Sequence, residues 1–379
     1  MGARGERSGS ALDRIAHPSS HSGMSKFRRA GAVATLAALP VALAYRFSQV
    51  YRARAGFPHR RPPSFTPADF GMPFEETVVR STGGDLPAWF VPANGGSPGP
   101  GVVLVHGWDS ARDRMLANIQ FLHAAGFHCL TFDVRGNGAN PAETLPLSAG
   151  EFGSDALAGF ATLSARPEVT IGAVLGHSMG AIGALLAAAA DPRVAAVVSS
   201  STPSDPRRLV TETFRLAGLH IPSVVAAPLS WLTTREFLRP RGHRMRDISA
   251  LQAIVRYRGP ILLVHGQFDK VIPVEHAERL RAAAVGARNG DDSNVTLLIV
   301  PDGGHTWLYE NETYRRQIAA FLARSMGGPL SPEAAAAVAG AEQVSRLPEP
   351  EGSLVGSRAD GVAAAFLVGA TTVRGQGDQ

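Results

Sequence analysis

The sequence predicts an α/β protein with a mostly parallel, doubly wound sheet of eight strands and a small helical cap. Short apolar runs, typical of buried strands, alternate with longer segments of helical spacing between residues 102 and 325. Such alternation is the pattern of a parallel sheet covered by helices on both faces. One stretch of roughly 55 residues, Pro203 to Arg258, interrupts it and is too long for an ordinary connection. We expect this stretch to form the cap.

The elements follow from local patterns along the chain. A hairpin comes first, in which Thr82-Gly83-Gly84-Asp85 supplies the turn. The predicted strands are Glu76–Ser81, Leu86–Val91, Val102–Val105, Cys129–Val134, Ile171–Leu175, Val194–Ser199, Ile261–Val264 and Val295–Val300. The predicted helices are Met115–Leu122, Asp155–Ala165, Ala181–Ala190, Val274–Ala284 and Tyr314–Arg324. Together they define one folded domain over residues 72–325.

Composition excludes several classes of protein. The 379 residues are 45% hydrophobic, which is enough for a sizeable core. The net charge of +5 comes from the first 61 residues, which hold 11 Lys and Arg against 2 Asp and Glu, so the remainder is mildly acidic. The sequence of the folded part shows neither a basic stripe nor an aromatic platform, so nothing there indicates a nucleic-acid partner. The single cysteine, Cys129, lies in an apolar run and predicts a buried side chain.

The N-terminal 61 residues have the pattern of a leader with an anchor or signal segment. Basic residues precede an apolar run at residues 30–45, and further arginines follow it. We expect this run to hold the protein at a membrane, although it is shorter than the roughly 20 residues of a spanning helix. The alternatives are export after cleavage near Ala44, or a cytoplasmic location with this segment as a helix packed against the protein's own folded domain. Met24 is a second candidate start.

Two further segments flank the predicted domain. Residues 62–71 continue a proline-rich stretch and predict a linker, so residues 1–60 should be dispensable for a soluble, active domain. Residues 326–379 are rich in Ala, Gly and Pro and poor in aromatic residues, which predicts a disordered tail. Within this tail, Pro332–Ala339 is a candidate isolated helix.

The central motif is Gly176-His177-Ser178-Met179-Gly180, which separates a predicted strand from an alanine-rich helix. A G-x-S-x-G sequence at such a junction places the serine on a sharp turn, and the flanking glycines allow the close backbone packing that this turn needs. Ser178 is therefore the candidate nucleophile. His177 is expected to be structural and to point away from the nucleophile's side of the turn.

A serine hydroxyl needs a base, and the base needs an orienting carboxylate. Asp269 and His305 follow two later strand-like runs, in the chain order Ser, Asp, His. Asp269 also fits a helix N-cap, and His305 a surface loop. Asp205 is a second candidate acid because it too follows a strand, although the adjacent Pro206 favours an N-cap before the cap segment.

At these residues the sequence resembles the α/β-hydrolase superfamily, over roughly residues 72–325. The turn His106-Gly107-Trp108 adds to the likeness, and residues 74–135 look like bacterial, N-terminally anchored esterases or serine aminopeptidase-like hydrolases. The resemblance implies a triad of Ser178, Asp269 and His305. It also implies an oxyanion hole formed by the backbone N–H groups of Trp108 and Met179.

Other features narrow this interpretation. The single glycine before Trp108 departs from the HGGG-type lipase loop, and core packing of the Trp108 side chain is compatible with a role for its backbone. His106 is expected to be a buried residue at a strand end. No dinucleotide fingerprint or metal-ligand cluster is evident, so we expect neither a cofactor nor a metal. Ten arginines in Pro203–Arg258 indicate either an acidic substrate or, more simply, a solvated face.

The predicted function is a serine hydrolase that cleaves carboxylic esters through an acyl-enzyme on Ser178. The expected partner is a small-molecule ester or amide substrate. A serine aminopeptidase-like peptidase, or an acyltransferase or thioesterase on the same fold, is the nearest alternative. A non-catalytic binding module is a more distant one, since all three candidate triad residues are present.

Overall fold

The computed structural model describes residues 39–96, 98–216, 218, 220–344 and 347. By its internal contacts the chain divides into two units, Met1–Arg46 and Phe47–Gln379. In the first unit, residues 39–46 are helical and expose Leu39, Val41, Leu43 and Tyr45. The second unit begins with helical residues 47–55, labelled α1, and contains the other helices and strands that the structure describes.

An eight-stranded sheet forms the centre of the second unit, as the sequence predicts. Its strands lie in the order β1-β2-β4-β3-β5-β6-β7-β8, and only the pairings of β1 with β2 and of β2 with β4 are antiparallel. The strands are β1 Glu75–Ser81, β2 Gly84–Val91, β3 Gly99–Val105, β4 His128–Phe132, β5 Val169–His177, β6 Val194–Ser200, β7 Ile261–Gly266 and β8 Val295–Val300.

Helices cover both faces of the sheet. On one face, α2 (Leu116–Ala124) packs with α9 (Glu312–Met326) and α10 (Pro332–Ala341). The other face carries α3 (Ala149–Ser164), α4 (Met179–Ala190), α7 (Ala250–Arg256) and α8 (Glu275–Ala287). Two apolar clusters lie between the sheet and these layers, because the inner strands are buried on both sides.

The interrupting stretch contains α5 (Pro206–Leu216) and α6 (Ser223–Leu238), which pack together as the predicted cap helices. Its last part differs from the prediction, because α7 packs against α4 and α8 and so belongs to the layer on the sheet. The cap also contacts α1: the Phe47 ring lies 5.5 Å from that of Phe214, and Ser48 Oγ lies 3.2 Å from Thr233 Oγ1.

The start of one helix and the packing of the predicted tail differ from the predictions for identifiable reasons. Helix α3 begins at Ala149 rather than Asp155, because Ser148 and Glu151 form a capping box that stabilises an earlier first turn. Within the predicted tail, α10 packs on α9, where Arg315 donates to the carbonyl oxygens of Ala339 and Gly340. Small alanine side chains allow this close approach. Residues 348–379 lie outside the described residues.

The proline-rich stretch also differs from a linker. The Gly56 carbonyl accepts from the Leu147 N–H at 2.8 Å, and the N–H groups of His59 and Ser64 donate to Asp109 and Asp113. These bonds hold the stretch on the folded domain. Of the predicted anchor, residues 30–38 lie outside the described residues. Among the helices that the structure describes, none has both the length and the apolar character needed to span a membrane. Anchoring stays a prediction.

Candidate active site

Ser178 occupies the turn between β5 and α4. Its backbone has φ 55° and ψ −118°, a conformation that side-chain-bearing residues rarely adopt. The turn is held by a hydrogen bond of 2.9 Å from the Ser178 N–H to the Ser200 carbonyl on β6. A non-glycine residue kept in such a conformation indicates a functional constraint, and here it turns the serine side chain into a cavity.

Gly176 and Gly180 permit this turn by close backbone contact. A Cβ atom on Gly176 would lie 2.2 Å from the Gly180 oxygen, and one on Gly180 would lie 2.2 Å from the Val105 oxygen. Both distances are far inside van der Waals contact. The start of α4 is therefore packed directly against the end of β3, where the loop containing Trp108 begins.

His305 lies between Ser178 and Asp269. Its Nε2 is 3.1 Å from Ser178 Oγ, and its Nδ1 is 2.7 Å from Asp269 Oδ2. Because a carboxylate only accepts, Nδ1 carries a proton and donates to Asp269, and the tautomer with this single ring proton has Nε2 as an acceptor for the serine hydroxyl. The three side chains thus form one chain of hydrogen bonds in the order needed to activate a serine.

Asp269 is kept ionised by its surroundings. Burial raises the pKa of this carboxyl, but the adjacent His305 and His265 outweigh burial and hold the pKa well below its usual range. Asp269 Oδ1 also accepts from the N–H groups of Val271 and Ile272, at 2.9 and 2.8 Å. Asp205 is placed differently, because its Oδ1 accepts from the Arg207 N–H at 2.9 Å, as an N-cap of α5 would.

The loop carrying Asp269 is tied to the loop carrying His305. A Cβ on Gly266 would lie 2.2 Å from the Gly304 oxygen, so the two backbones touch. The Phe268 N–H donates to the Gly303 carbonyl at 2.8 Å. His265 packs behind Asp269 with its Nε2 3.3 Å from Asp269 Oδ2. These contacts join residues from β7 and β8, and the sequence motif by itself does not reveal them.

His177 faces the catalytic histidine candidate, contrary to the expectation from the sequence. Its Nε2 lies 2.7 Å from the His305 carbonyl oxygen, and the two rings are 5.1 Å apart. Burial, together with the nearby His305, lowers the pKa of His177 to about 4, so the ring is neutral at pH 7. Because a carbonyl oxygen only accepts, His177 Nε2 carries the proton and donates a hydrogen bond to the His305 carbonyl. Ser201 Oγ donates to the same carbonyl at 3.3 Å.

The two residues predicted to form the oxyanion hole, Trp108 and Met179, line the same cavity as Ser178. Met179 is the first residue of α4, so its N–H has no acceptor within the helix. In the described part of the chain, no backbone carbonyl accepts from the N–H of Trp108. The Trp108 indole stacks on Phe152 with the rings 6.2 Å apart, so its side chain packs while its backbone is available. His106 is buried and bonded to the backbone of Gly107 and Val134.

A cavity of about 370 Å³ opens at Ser178 and is mainly apolar. The cap contributes Leu209, Val210, Phe237 and Leu238 to its wall, and the core contributes Trp108, Met115, Leu147, Ile182 and Ile272. The first sixty residues also contribute, through Tyr51, Arg54, Ala55, Phe57 and His59. Removing residues 1–60 would remove these five side chains from the cavity wall, and the dispensability of residues 1–60 stays a prediction. The aromatic spacing of Phe47 and Tyr51 is the sequence signal for this packing.

The cap arginines do not line the cavity. The arginines in its wall are Arg54 and Arg114, and the carboxylates are Asp109, which contacts His59, and Glu212, which contacts Arg215. The wall is thus close to neutral, which favours the interpretation of the cap arginines as a solvated face. Within the described ranges, no group of three His, Cys, Asp or Glu side chains is arranged to hold a metal ion.

The fold and the strand-to-helix turn at Ser178 are those of a known family of proteins. Residues 102–321 match the model of the alpha/beta hydrolase family, and the chain belongs to this family. An uncharacterized protein of Mycobacterium tuberculosis is 28% identical over 238 residues, which cover 62% of this chain and 73% of that protein. The alpha/beta hydrolase domain-containing protein WAV2 of Arabidopsis thaliana is 26% identical over 267 residues, which cover 68% of this chain and 81% of that protein.

Solved structures agree with the fold. The Pyrococcus furiosus esterase Pf2001 superposes with a TM-score of 0.55, at 22% identity, over 71% of this chain and all of the esterase. At this identity the likeness shows the arrangement of elements and carries no information on the substrate. The predicted superfamily and fold class are therefore confirmed.

Proposed function

We propose that this protein is a serine hydrolase that cleaves carboxylic esters through an acyl-enzyme on Ser178. The observation that carries the proposal is the continuous hydrogen-bonded chain from Ser178 through His305 to the ionised Asp269, at the mouth of an apolar cavity. A histidine whose Nδ1 donates to a carboxylate and whose Nε2 faces a serine hydroxyl is the arrangement that general-base catalysis requires.

In the proposed acylation step, Ser178 Oγ attacks the ester carbonyl carbon while its proton passes to His305 Nε2. The carbonyl oxygen gains the negative charge and accepts from the N–H groups of Trp108 and Met179. The intermediate then expels the alcohol, which takes the proton from His305. Water repeats the sequence on the acyl-enzyme and releases the acid and the free serine. Asp269 stabilises the positively charged His305 that forms in each half-reaction.

Because the cavity wall is mainly apolar, we expect the cavity to bind an uncharged acyl group of the substrate. An aminopeptidase would instead need a carboxylate available for the substrate's ammonium group. The two carboxylates in the wall, Asp109 and Glu212, already contact His59 and Arg215. No observation therefore favours the peptidase, the acyltransferase or the thioesterase over the esterase, and these remain outcomes of the test.

The test is turnover of p-nitrophenyl esters of increasing acyl length by the purified full chain, alongside thioester and amino-acid p-nitroanilide substrates. Ser178→Ala should lower ester turnover by about 10⁶-fold if the behaviour of subtilisin transfers. It should also abolish labelling by a fluorophosphonate. A folded wild-type protein that neither turns over any substrate nor takes the label would be a binding module, and the proposal would be wrong.

A further inference from the structure

The first half of α6 presents an apolar surface to solvent. Val224 is 79% exposed, Val225 is 52% exposed and Trp231 is 45% exposed. Smaller exposed side chains that extend this surface are Pro222, Ala227 and Pro228. From residue 216 to residue 234 the sequence contains no Lys, Arg, Asp or Glu. A contiguous exposed apolar patch of this kind marks a surface that binds another apolar phase or molecule. We call these six residues the α6 patch.

The inward side of α6 is partly polar. Ser230, Thr233 and Thr234 are buried, and their hydroxyl groups bond within the protein. Ser230 Oγ lies 2.9 Å from Thr211 Oγ1, and Thr234 Oγ1 donates to the Ser230 carbonyl at 2.7 Å. A helix on a water-exposed surface buries its apolar side and exposes its polar side. Here α6 buries three hydroxyl side chains as well as Ala226 and Leu238 while it exposes valine and tryptophan, and exposed apolar side chains of this size suit an apolar surrounding medium.

Basic residues flank the α6 patch. Pro203–Arg258 contains ten arginines and only four carboxylates. Arg215, Arg235 and Arg239 are exposed, and the Arg235 guanidinium lies 5.4 Å from the centre of the Trp231 ring. Tryptophan and arginine beside exposed aliphatic residues are typical of surfaces that lie in the headgroup region of a bilayer. Arg215 and Arg239 also contact Glu212 and Glu236, so the attraction to anionic lipid would come from the excess of arginines over carboxylates in the cap and from Arg235 beside Trp231.

We propose that the α6 patch is a membrane-docking surface that inserts its apolar side chains into an anionic bilayer, with the flanking arginines against the lipid headgroups. A second copy of the chain is the less favoured occupant. Each partner in a stable protein interface buries roughly 800 Å². The three large side chains of the α6 patch would bury a much smaller area. A bilayer needs no shape complementarity. The proposal depends neither on the proposed hydrolysis nor on the predicted segment at residues 30–45.

The test places an environment-sensitive fluorophore on the patch of the full-length protein. Cys129 is buried, and burial raises the pKa of its thiol, so Val224→Cys gives one reactive site. With vesicles of phosphatidylcholine and phosphatidylglycerol, an NBD label at position 224 should shift to the blue and brighten. The matched control is Val78→Cys, at a 42% exposed position on β1, where the label should keep its emission in water.

A second pair of variants tests the energetics. Trp231→Glu in the Val224→Cys background should raise the lipid concentration for half-maximal response by about tenfold, because a carboxylate is repelled by the anionic surface. Val78→Glu in the same background should leave the response unchanged.

Three results would overturn the proposal. The first is emission typical of water at position 224 in protein that floats with vesicles, which would mean attachment through another segment. The second is no flotation at all. The third is blue emission without lipid, which would mean that the protein itself covers the patch. Gel filtration at several concentrations would then identify a second copy of the chain.

Discussion

The side chain of His177 donates a hydrogen bond of 2.7 Å to the backbone carbonyl of His305, so the residue before the serine holds the backbone of the proposed base. The two residues are 128 positions apart in the chain. Ser178 follows His177 directly, so a bond outside the proposed triad helps to set the distance between Ser178 and His305.

We expect His177→Ala to lower kcat for short-chain esters by about tenfold to a hundredfold with little change in KM. The reason is that loss of the bond allows His305 to move from Ser178, and small displacements of catalytic groups are costly. His177→Gln, whose amide can donate to the same carbonyl, should recover much of the rate. If the alanine and glutamine variants are equally impaired while both stay folded, the bond has no positioning role.

The choice between the two aspartates can be tested directly. Asp269→Asn should lower ester turnover by on the order of 10⁴-fold, by analogy with the loss of the acid in subtilisin. Asp205→Asn should change turnover little, because its carboxylate bonds to the start of α5. Circular dichroism checks folding in both variants. The reverse order of losses would assign the acid to Asp205 and leave the serine-hydrolase proposal intact.

The glycine contacts predict an asymmetry in stability. Gly266→Ala should lower the free energy of unfolding by about 1–3 kcal/mol, since its Cβ would lie 2.2 Å from the Gly304 oxygen and the backbones must separate. Gly286→Ala on α8 is the matched control, because nothing lies within 4 Å of its Cβ position. That change should be neutral or stabilising by up to ~1 kcal/mol. Urea unfolding measures both.

The cap should select acyl length. Leu209 on α5 lines the cavity, so Leu209→Trp should reduce kcat/KM for decanoyl esters by about tenfold or more, while acetyl esters are affected much less. Val225→Trp, on the same cap but outside the cavity wall, should leave the ratio unchanged. An equal loss toward all esters in the Leu209 variant would indicate a structural role for α5 instead.

Stability should fall in mild acid. Burial lowers the pKa values of His177 and His276 to about 4, compared with about 6.5 for a histidine in an unfolded chain. Between pH 6.5 and 4 the unfolded state therefore binds more protons, and the free energy of unfolding rises with pH. Each histidine contributes at most ~1.4 kcal/mol per pH unit. Urea titrations at pH 7 and pH 5 should show the difference, and His276→Gln should reduce it. Equal stability at the two pH values would contradict this prediction.

The eight strands of the sheet and the strand-to-helix turn at Ser178 are predictable from the sequence, because they depend on local periodicity and on glycines next to a strand. The start of α3 was predictable in principle, since Ser148 and Glu151 form a recognisable capping box. The packing of α10 has a weaker signal: Ala335 and Ala339 are spaced as one helix face, but alanine-rich sequence also occurs in disordered tails.

The side of the turn that His177 occupies was not predictable in this way. It depends on where the loop after β8 passes, and that is set by contacts between strands distant in sequence. The same holds for Phe57, which becomes part of the cavity wall only because the chain returns to the cap. Long-range contacts of this kind have no periodic pattern for a single sequence to display.

The contact between Gly266 and the Gly303-Gly304 backbone has a dynamic consequence. With no side chain between them, the loops after β7 and β8 cannot slide past each other without breaking backbone packing. Asp269 and His305 should therefore fluctuate as a single body, and thermal motion would change their joint distance to Ser178 more than their distance to each other. Heating would then weaken the contact of the serine with the histidine before it separates the histidine from the aspartate.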